Sequence, residues 1–247
     1  MSKIQGAITG LTVAGALAAG LILSHSRAHA DAQPPDTLPI AINISPEAPP
    51  GAVILFSGKP DQIPNNFYSR YSKDPGAWTV DADGVATPNK HDIVTKQEFG
   101  DSYVHVEFRC PADANGNPVT GGNSGVGLEG RYEVQILNSY GHKPGGGECG
   151  ALYEEKPPMV IASKKAGEWQ TYDIIFRAPR FDDAGKVIEQ AHATVFQNGI
   201  LVQNNEAFTG PTGIQYGELK GEVKTGPLIL QGDHNPVQFR NVWVLPL

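Results

Sequence analysis

The stretch RYEVQILNSYG, residues 131–141, spaces chemistry-bearing side chains at regular intervals. Read as a strand, it puts Arg131, Glu133 and Gln135 on one face and Tyr132, Val134 and Ile136 on the other. The polar row is either solvated surface or the floor of a site. A carboxylate can serve as a general base, and planar amide and guanidinium groups match pairs of hydroxyls. Two other stretches have the same character. His105, Glu107 and Arg109 alternate with Val104, Val106 and Phe108. QGDHNPVQFRN, 231–241, carries Gln231, Asp233, His234, Asn235 and Arg240. An Asp beside a His after an apolar strand is a common acid/base pairing. Plainer readings stand beside these. A solvated face with cross-strand ion pairs is the better account of His105, Glu107 and Arg109. Asp233 and Asn235 could bond local backbone in a turn.

Other chemistries lack their signatures. GGNSGVGLEG (121–130) has no Lys-Ser/Thr after its glycines and no helix pattern behind it, so it is not a phosphate loop. Ser124 is not in a G-x-S-x-G setting. No paired Cys or His spacing marks a transition-metal site. The metal is therefore unknown, and no cofactor is implied; a calcium ion held by loop carbonyls and an aspartate stays open.

The elements that must position these residues are strands. AWTVDADGVAT turns at Asp83-Gly84, and AHATVFQNGILVQNNEAF turns at Asn198-Gly199, both hairpin signals. EWQTYDIIFRAPRFD alternates Tyr172, Ile174 and Phe176 against Thr171, Asp173, Ile175 and Arg177. No stretch sustains a 3.6-residue period. Ten to thirteen strands with turn signals every 8–12 residues predict an all-β, two-sheet jelly-roll β-sandwich in one domain, 51–247. GHKPGGGECG (141–150) reads as a lip or lid of a groove, or a long connection.

The first thirty residues do not belong to this fold. Lys3, a long apolar run and the small-x-small AHA (28–30) read as a signal peptide cut before Asp31. An uncleaved membrane anchor is the alternative. Export would be bacterial, to the periplasm or the medium. Residues 31–50, with six prolines, read as a linker, either extended along the domain or disordered. Loss of Lys3 and Arg27 leaves 17 basic and 26 acidic residues, a net charge of −9. Such a chain suits neither nucleic acid nor anionic lipid. Oligomeric state is not readable. Cys110 and Cys149 are either a disulfide, if exported, or two buried thiols.

Several stretches in order resemble one family: ILFSGK (54–59), DIVTKQEFGDSYVHVEFR (92–109), GNSGVGLEGRYEVQILNSYG (122–141), CGALY (149–153), AGEWQTYDIIFRAPR (166–180), FQNGILV (196–202) and GPLILQGDHNPVQFRNVWVLPL (226–247). Together they resemble the 3-keto-disaccharide hydrolase family, also known as the domain of unknown function 1080. The resemblance implies a concanavalin A-like lectin/glucanase fold and action on glycosides oxidised at C3 of a glucosyl unit. It carries over onto Asn123, Ser124, Glu133, Gln135, Tyr153, Trp169, Gln231, Asp233, His234 and Arg240. The chain departs from the family at Asn138, often Asp, and at Asn235, often Gly.

A 3-keto group acidifies the C2 proton, so one base and one acid suffice for cleavage. Glu133 is the candidate base, and His234, oriented by Asp233, the candidate acid. Arg131 or Arg240 could stabilise an enolate oxygen. Gln135, Arg131, Arg109, Asn123, Tyr153, Trp169, Gln231 and Arg240 are the candidate carbohydrate-binding residues. An ordinary retaining glucanase is disfavoured, because the next same-face positions after Glu133 are Gln135 and Leu137, not a second carboxylate. A non-catalytic carbohydrate-binding module, stacking sugars on Trp169, Tyr153 and Tyr140, is the alternative.

Overall fold

A computed structural model describes residues 41–212 and 221–247. The expected export segment 1–30 and the first ten residues of the proline-rich segment lie outside the described residues. The described elements, in order, are β1 (Val53–Phe56), α1 (Gln62–Asn66), β2 (Phe67–Ser69), β3 (Thr79–Val80), β4 (Ala86–Thr87), β5 (Ile93–Phe99), β6 (Ser102–Arg109), β7 (Ser124–Leu128) and β8 (Tyr132–Ile136). They continue with β9 (Gln170–Arg177), β10 (Arg180–Phe181), β11 (Val187–Glu189), β12 (His192–Gln197), β13 (Ile200–Ala207), β14 (Gly226–Leu230) and β15 (Gln238–Pro246).

The fifteen described strands exceed the expected ten to thirteen because three are two residues long. They build a two-sheet β-sandwich. One sheet has eight strands, ordered β13-β12-β9-β6-β15-β4-β3 with β1 also on β15; the other has five, ordered β2-β5-β14-β7-β8. A short β10-β11 ribbon stands apart. All named strand pairings are antiparallel. Both anticipated hairpin turns are present. Gly84 turns β3 into β4 at φ +75°, and Asn198 and Gly199 turn β12 into β13 at φ +54° and +77°. Two positive φ values in succession are what a type I′ turn requires. Residues 92–109 supply two strands, one to each sheet. β5 ends at Phe99 and β6 starts at Ser102 across Gly100-Asp101, where a Cβ on Gly100 would lie 2.9 Å from the Lys224 carbonyl.

The core lies between the sheets. Tyr132, Val134 and Ile136 of β8 face Tyr172, Ile174 and Phe176 of β9, all buried. The Tyr132 ring packs 5.6 Å from Phe176 and 4.8 Å from Phe208, centroid to centroid. The Tyr172 hydroxyl crosses the core and donates to the Gln135 carbonyl at 2.5 Å. Cys110 and Cys149 are free, buried thiols, not a disulfide. The Cys149 sulfur sits 3.0 Å from the Tyr172 hydroxyl and accepts from Gln197 at 3.3 Å, while Cys110 points at the Gly122 carbonyl. Of the proline-rich segment, residues 41–50 lie against the eight-stranded sheet. Ile42 N–H donates to Gly199 O, and Asn241 and Trp243 both donate to Pro46 O.

Two buried groups pull against this packing. The Tyr132 hydroxyl has no hydrogen-bond partner. Tyr132→Phe should therefore stabilise the chain by about 1 kcal/mol in urea unfolding. Tyr132→Ala should cost about 3–5 kcal/mol. Neither carboxylate oxygen of Glu129 is hydrogen-bonded, and burial raises its pKa from 4.5 to about 8 against the opposing charge of Arg131. The folded state therefore keeps a proton that the unfolded chain releases, and Glu129 subtracts stability progressively between those two pH values. Glu129→Gln should gain more stability at pH 8 than at pH 5, by up to about 1.4 kcal/mol per pH unit between them.

Candidate functional site

β8 is buried on both faces, so its polar side is not solvated surface. Glu133 is 1% and Gln135 4% exposed. Strand register sets what surrounds them. Glu133 pairs with Gly127, Gly127 with Ile229, Ile229 with Val94 and Val94 with Tyr68, one row across the outward face of the five-stranded sheet. On the other side of β8, Tyr153 N–H donates to the Glu133 carbonyl at 3.0 Å. Burial, then the charges of Glu154 and Glu133, raise the Tyr153 pKa. Thr212 accepts the Glu133 N–H at 3.0 Å.

The neighbouring row begins Gln135, Gly125, Gln231. The Glu133 carboxylate leans over Gly125, where an added Cβ would lie 2.2 Å from Oε1. With its amide assigned by hydrogen bonding, Gln135 donates to Glu133 Oε1 at 3.3 Å and to the Ser124 carbonyl at 2.9 Å. Gln231 is buried, with its side-chain oxygen unpartnered. Ser124 Oγ donates to the Gln231 carbonyl at 2.8 Å.

The 233–235 turn closes this end of the sheet. Asn235 Oδ1 accepts the Asn123 N–H at 2.7 Å, and Asn123 O accepts the Asn235 N–H at 3.3 Å. Asp233 Oδ1 is buried, without a hydrogen bond, 3.7 Å from His234 Nδ1. The His234 side chain is 48% exposed, open to proton exchange with solvent. The expected local turn is present, yet Asp233 does not spend its carboxylate on it. Strand register thus puts Glu133, Gln135 and Gln231 on one face, with Tyr153 bonded to the free edge of β8 and Asn123, Asp233 and His234 at the end of the sheet where Gln231 leaves β14.

Three expected members are elsewhere. Arg109 and Arg240 project from the outward face of the eight-stranded sheet, on the far side of the core. Trp169 packs with them, its ring centroid 4.7 Å from the Arg109 and 4.1 Å from the Arg240 guanidinium carbon. Alternation made all the polar stretches look alike; only strand pairing assigns β6 and β15 to one sheet and β7 and β8 to the other. Arg131 does share the Glu133 side, but its Nε and Nη1 donate to the carbonyls of Gly221 (2.6 Å) and Glu129 (2.8 Å). Tyr140 is exposed beside Lys165, whose ammonium lies 5.6 Å from its ring centroid.

The expected solvated face at His105, Glu107 and Arg109 is instead largely sealed. His105 is buried, stacked on Trp243 at 5.0 Å. Asp173 Oδ1 accepts from Tyr103 at 2.8 Å and contacts His105 Nδ1 at 2.7 Å. Burial pulls the His105 pKa down, but Asp173 and Glu107 outweigh it and the net shift is upward. Burial likewise raises Glu107, and His105, Asn241 and Arg240 reverse this, holding it at about 2.

Sequence reasoning missed Asp92 and Arg70. Both lie on the Glu133 face, and Arg70 Nη1 meets Asp92 Oδ2 at 3.1 Å. The signal available for Asp92 was its period-2 spacing from Val94; Arg70 follows a three-residue strand and gives none. Among the described residues no three His, Cys, Asp or Glu side chains form a metal-holding group.

Comparison with known proteins follows this geometry. No curated protein matches the chain. A solved protein of Parabacteroides distasonis ATCC 8503, provisionally named a glycosyl hydrolase, is 38% identical, with 81% of this chain and 85% of that one covered at TM-score 0.69. Two others from the same organism, with the same provisional name, share the fold. One is 20% identical at TM-score 0.53, covering 80% of this chain and 94% of that one. The other is 22% identical at TM-score 0.52, covering 79% and 99%. The family described as the 3-keto-alpha-glucoside-1,2-lyase-like domain matches residues 51–245, and the chain belongs to that family.

Proposed function

We propose that the chain cleaves the glycosidic bond of 3-keto-glucosides, with Glu133 as base and His234, oriented by Asp233, as acid. The observation that carries this reading is the setting of Glu133. It is a buried carboxylate whose neighbours among the described residues, by strand register and backbone bonding, are Gly125, Gly127, Gln135, Arg131 and Tyr153. None of these described neighbours is a second carboxylate. Asp92 lies three strands away and one row over, about 16 Å between Cα atoms at about 4.8 Å per strand and about 3.4 Å per residue. A retaining glycosidase needs two carboxylates about 5 Å apart. One base is enough when a ketone at C3 acidifies C2.

In the proposed reaction Glu133 takes the C2 proton and its electron pair forms the enolate of the C3 ketone. The enolate then collapses to a C1–C2 double bond as the C1–O bond breaks. The departing oxygen takes a proton from His234. Water adding across the double bond gives the free 3-keto sugar. The family and the similarly named glycosyl hydrolase of Parabacteroides distasonis support a carbohydrate substrate. So does the buried, unpartnered acceptor Gln231 Oε1, which a hydroxyl donor of a sugar would satisfy. We read residues 1–30 as an export signal, which puts this reaction in the periplasm or outside the cell.

The test is turnover of 3-keto-trehalose and 3-keto-sucrose, beside the unoxidised sugars and laminarin. The expected result is release of a 3-keto-hexose from the oxidised substrates alone. In D2O, the C2 position should exchange during turnover. Glu133→Gln should lower kcat by about 10²–10⁴-fold while the fold survives. Full activity in a folded Glu133→Gln protein would remove Glu133 as the base. Binding of intact glycans without turnover would instead identify a carbohydrate-binding module.

A further inference from the structure

The Gln135–Gly125–Gln231 row does not stop at β14. Leu230 pairs with Ile93 and Ser69 with Ile93, so the row runs on through Asp92 to Arg70. The Arg70 N–H donates to the Asp92 carbonyl at 3.1 Å. Asp92 is fully buried. Its Oδ1 accepts two successive backbone amides, Gly232 at 2.8 Å and Asp233 at 3.2 Å. Its Oδ2 accepts from Arg70 Nη1 at 3.1 Å.

The peptide so held leaves no room for a side chain at Gly232. A Cβ on Gly232 would lie 2.5 Å from the His91 carbonyl, 2.7 Å from the Trp78 ring and 2.9 Å from Pro88. The His91 carbonyl is itself fixed by the Trp78 indole N–H at 2.7 Å. An Asp at a turn ordinarily bonds backbone amides close to its own position. Here Asp92, from another strand, takes the two amides that lead into the turn. The Asp233 carboxylate is left beside His234 with an unbonded oxygen.

We propose that Asp92, buttressed by Arg70, is the positioning residue of the Asp233–His234 pair: by capping the Gly232 and Asp233 amides it frees the Asp233 carboxylate to orient the imidazole. The inference rests on the reading of that pair as proton donor. It is a role in aligning the pair, so it predicts a loss in kcat with little change in KM.

The experiment compares the full chain with Asp92→Ala and Asp92→Asn, using 3-keto-trehalose turnover and ¹H–¹⁵N spectra. Asp92→Ala should lower kcat by about 10–100-fold with KM within about twofold. Asp92→Asn keeps one acceptor oxygen for the two amides and should recover part of that loss. It also serves where the alanine variant fails to fold. In either variant the Gly232 and Asp233 amide resonances should move more than those of the distant β12–β13 hairpin. A folded variant with wild-type kcat would overturn the proposal, as would raised KM at unchanged kcat. Unmoved Gly232 and Asp233 resonances in Asp92→Asn would overturn it with no substrate present. His234→Ala at full kcat would instead sink the proton-donor reading and leave the amide spectra to judge Asp92.

Discussion

The Tyr172 hydroxyl holds the site strand from beneath. It reaches across the sandwich from β9 to the Gln135 carbonyl at 2.5 Å, the same oxygen that accepts the Gly150 N–H at 2.9 Å. β8 is therefore fixed through its backbone from the core side and along its outer edge. That fixation matters because alternation ties the two faces of a strand together. Seating Tyr132, Val134 and Ile136 in the core also seats Glu133 and Gln135 on the opposite face. A slip of one residue would bury the carboxylate among aromatic rings. Burial keeps the Tyr172 pKa well above the ordinary tyrosine range, so the hydroxyl remains a proton donor across the whole working pH range.

Glycine does the complementary work on β7. Gly125 and Gly127 face Gln135 and Glu133 directly, and the side chain that Gly125 lacks is the space in which the Glu133 carboxylate lies. Glycine in a strand weakens it, since it contributes no packing and loses more conformational freedom. The sheet tolerates both because β7 is held on either side, by β8 and by β14. The glycine-rich segment, which lacks the signature of a phosphate loop, is thus a strand in which Gly125 makes room for a neighbour's carboxylate.

Much of the sandwich was legible because it is written in local patterns. The Asn198-Gly199 turn and the alternation of β9 are each carried by a few adjacent residues. What could not be read was which strands become neighbours. β5 and β6 are joined by two residues yet sit in different sheets, and β6 pairs with β15 from the far end of the chain. That pairing separates Arg109 and Arg240 from Glu133. It also hides Asp92, whose partners lie 22 and 140 residues away in sequence. Gly232 gave no local sign either, because the atoms that crowd it come from Trp78, Pro88 and His91.

The two polar faces have similar inventories and opposite outcomes. On the eight-stranded sheet Asp173 serves Tyr103 and His105, and Glu107 serves Arg240 and Asn241 at 2.7 and 2.9 Å. His105 Nε2 is left 3.8 Å from Glu107, sealed by the stacked Trp243 ring. Each carboxylate there is matched by donors of the protein itself, as buried charge demands. On the five-stranded sheet the protein stops short of closure. Asp92 is met by Arg70 and two amides, but among the described residues Gln231 Oε1 has no donor and Asp233 Oδ1 faces His234 Nδ1 at 3.7 Å, beyond hydrogen-bond distance. A buried acceptor without a donor is costly in an empty site and favourable once a hydroxyl arrives. The count of ionisable groups does not separate a structural network from a site. Open acceptors are not confined to one face either, since Gln197 and Gln203 of the eight-stranded sheet also keep a side-chain oxygen unbonded; what marks the Glu133 face is that its open acceptor, Gln231 Oε1, lies one strand beyond Gly125, over which the Glu133 carboxylate leans.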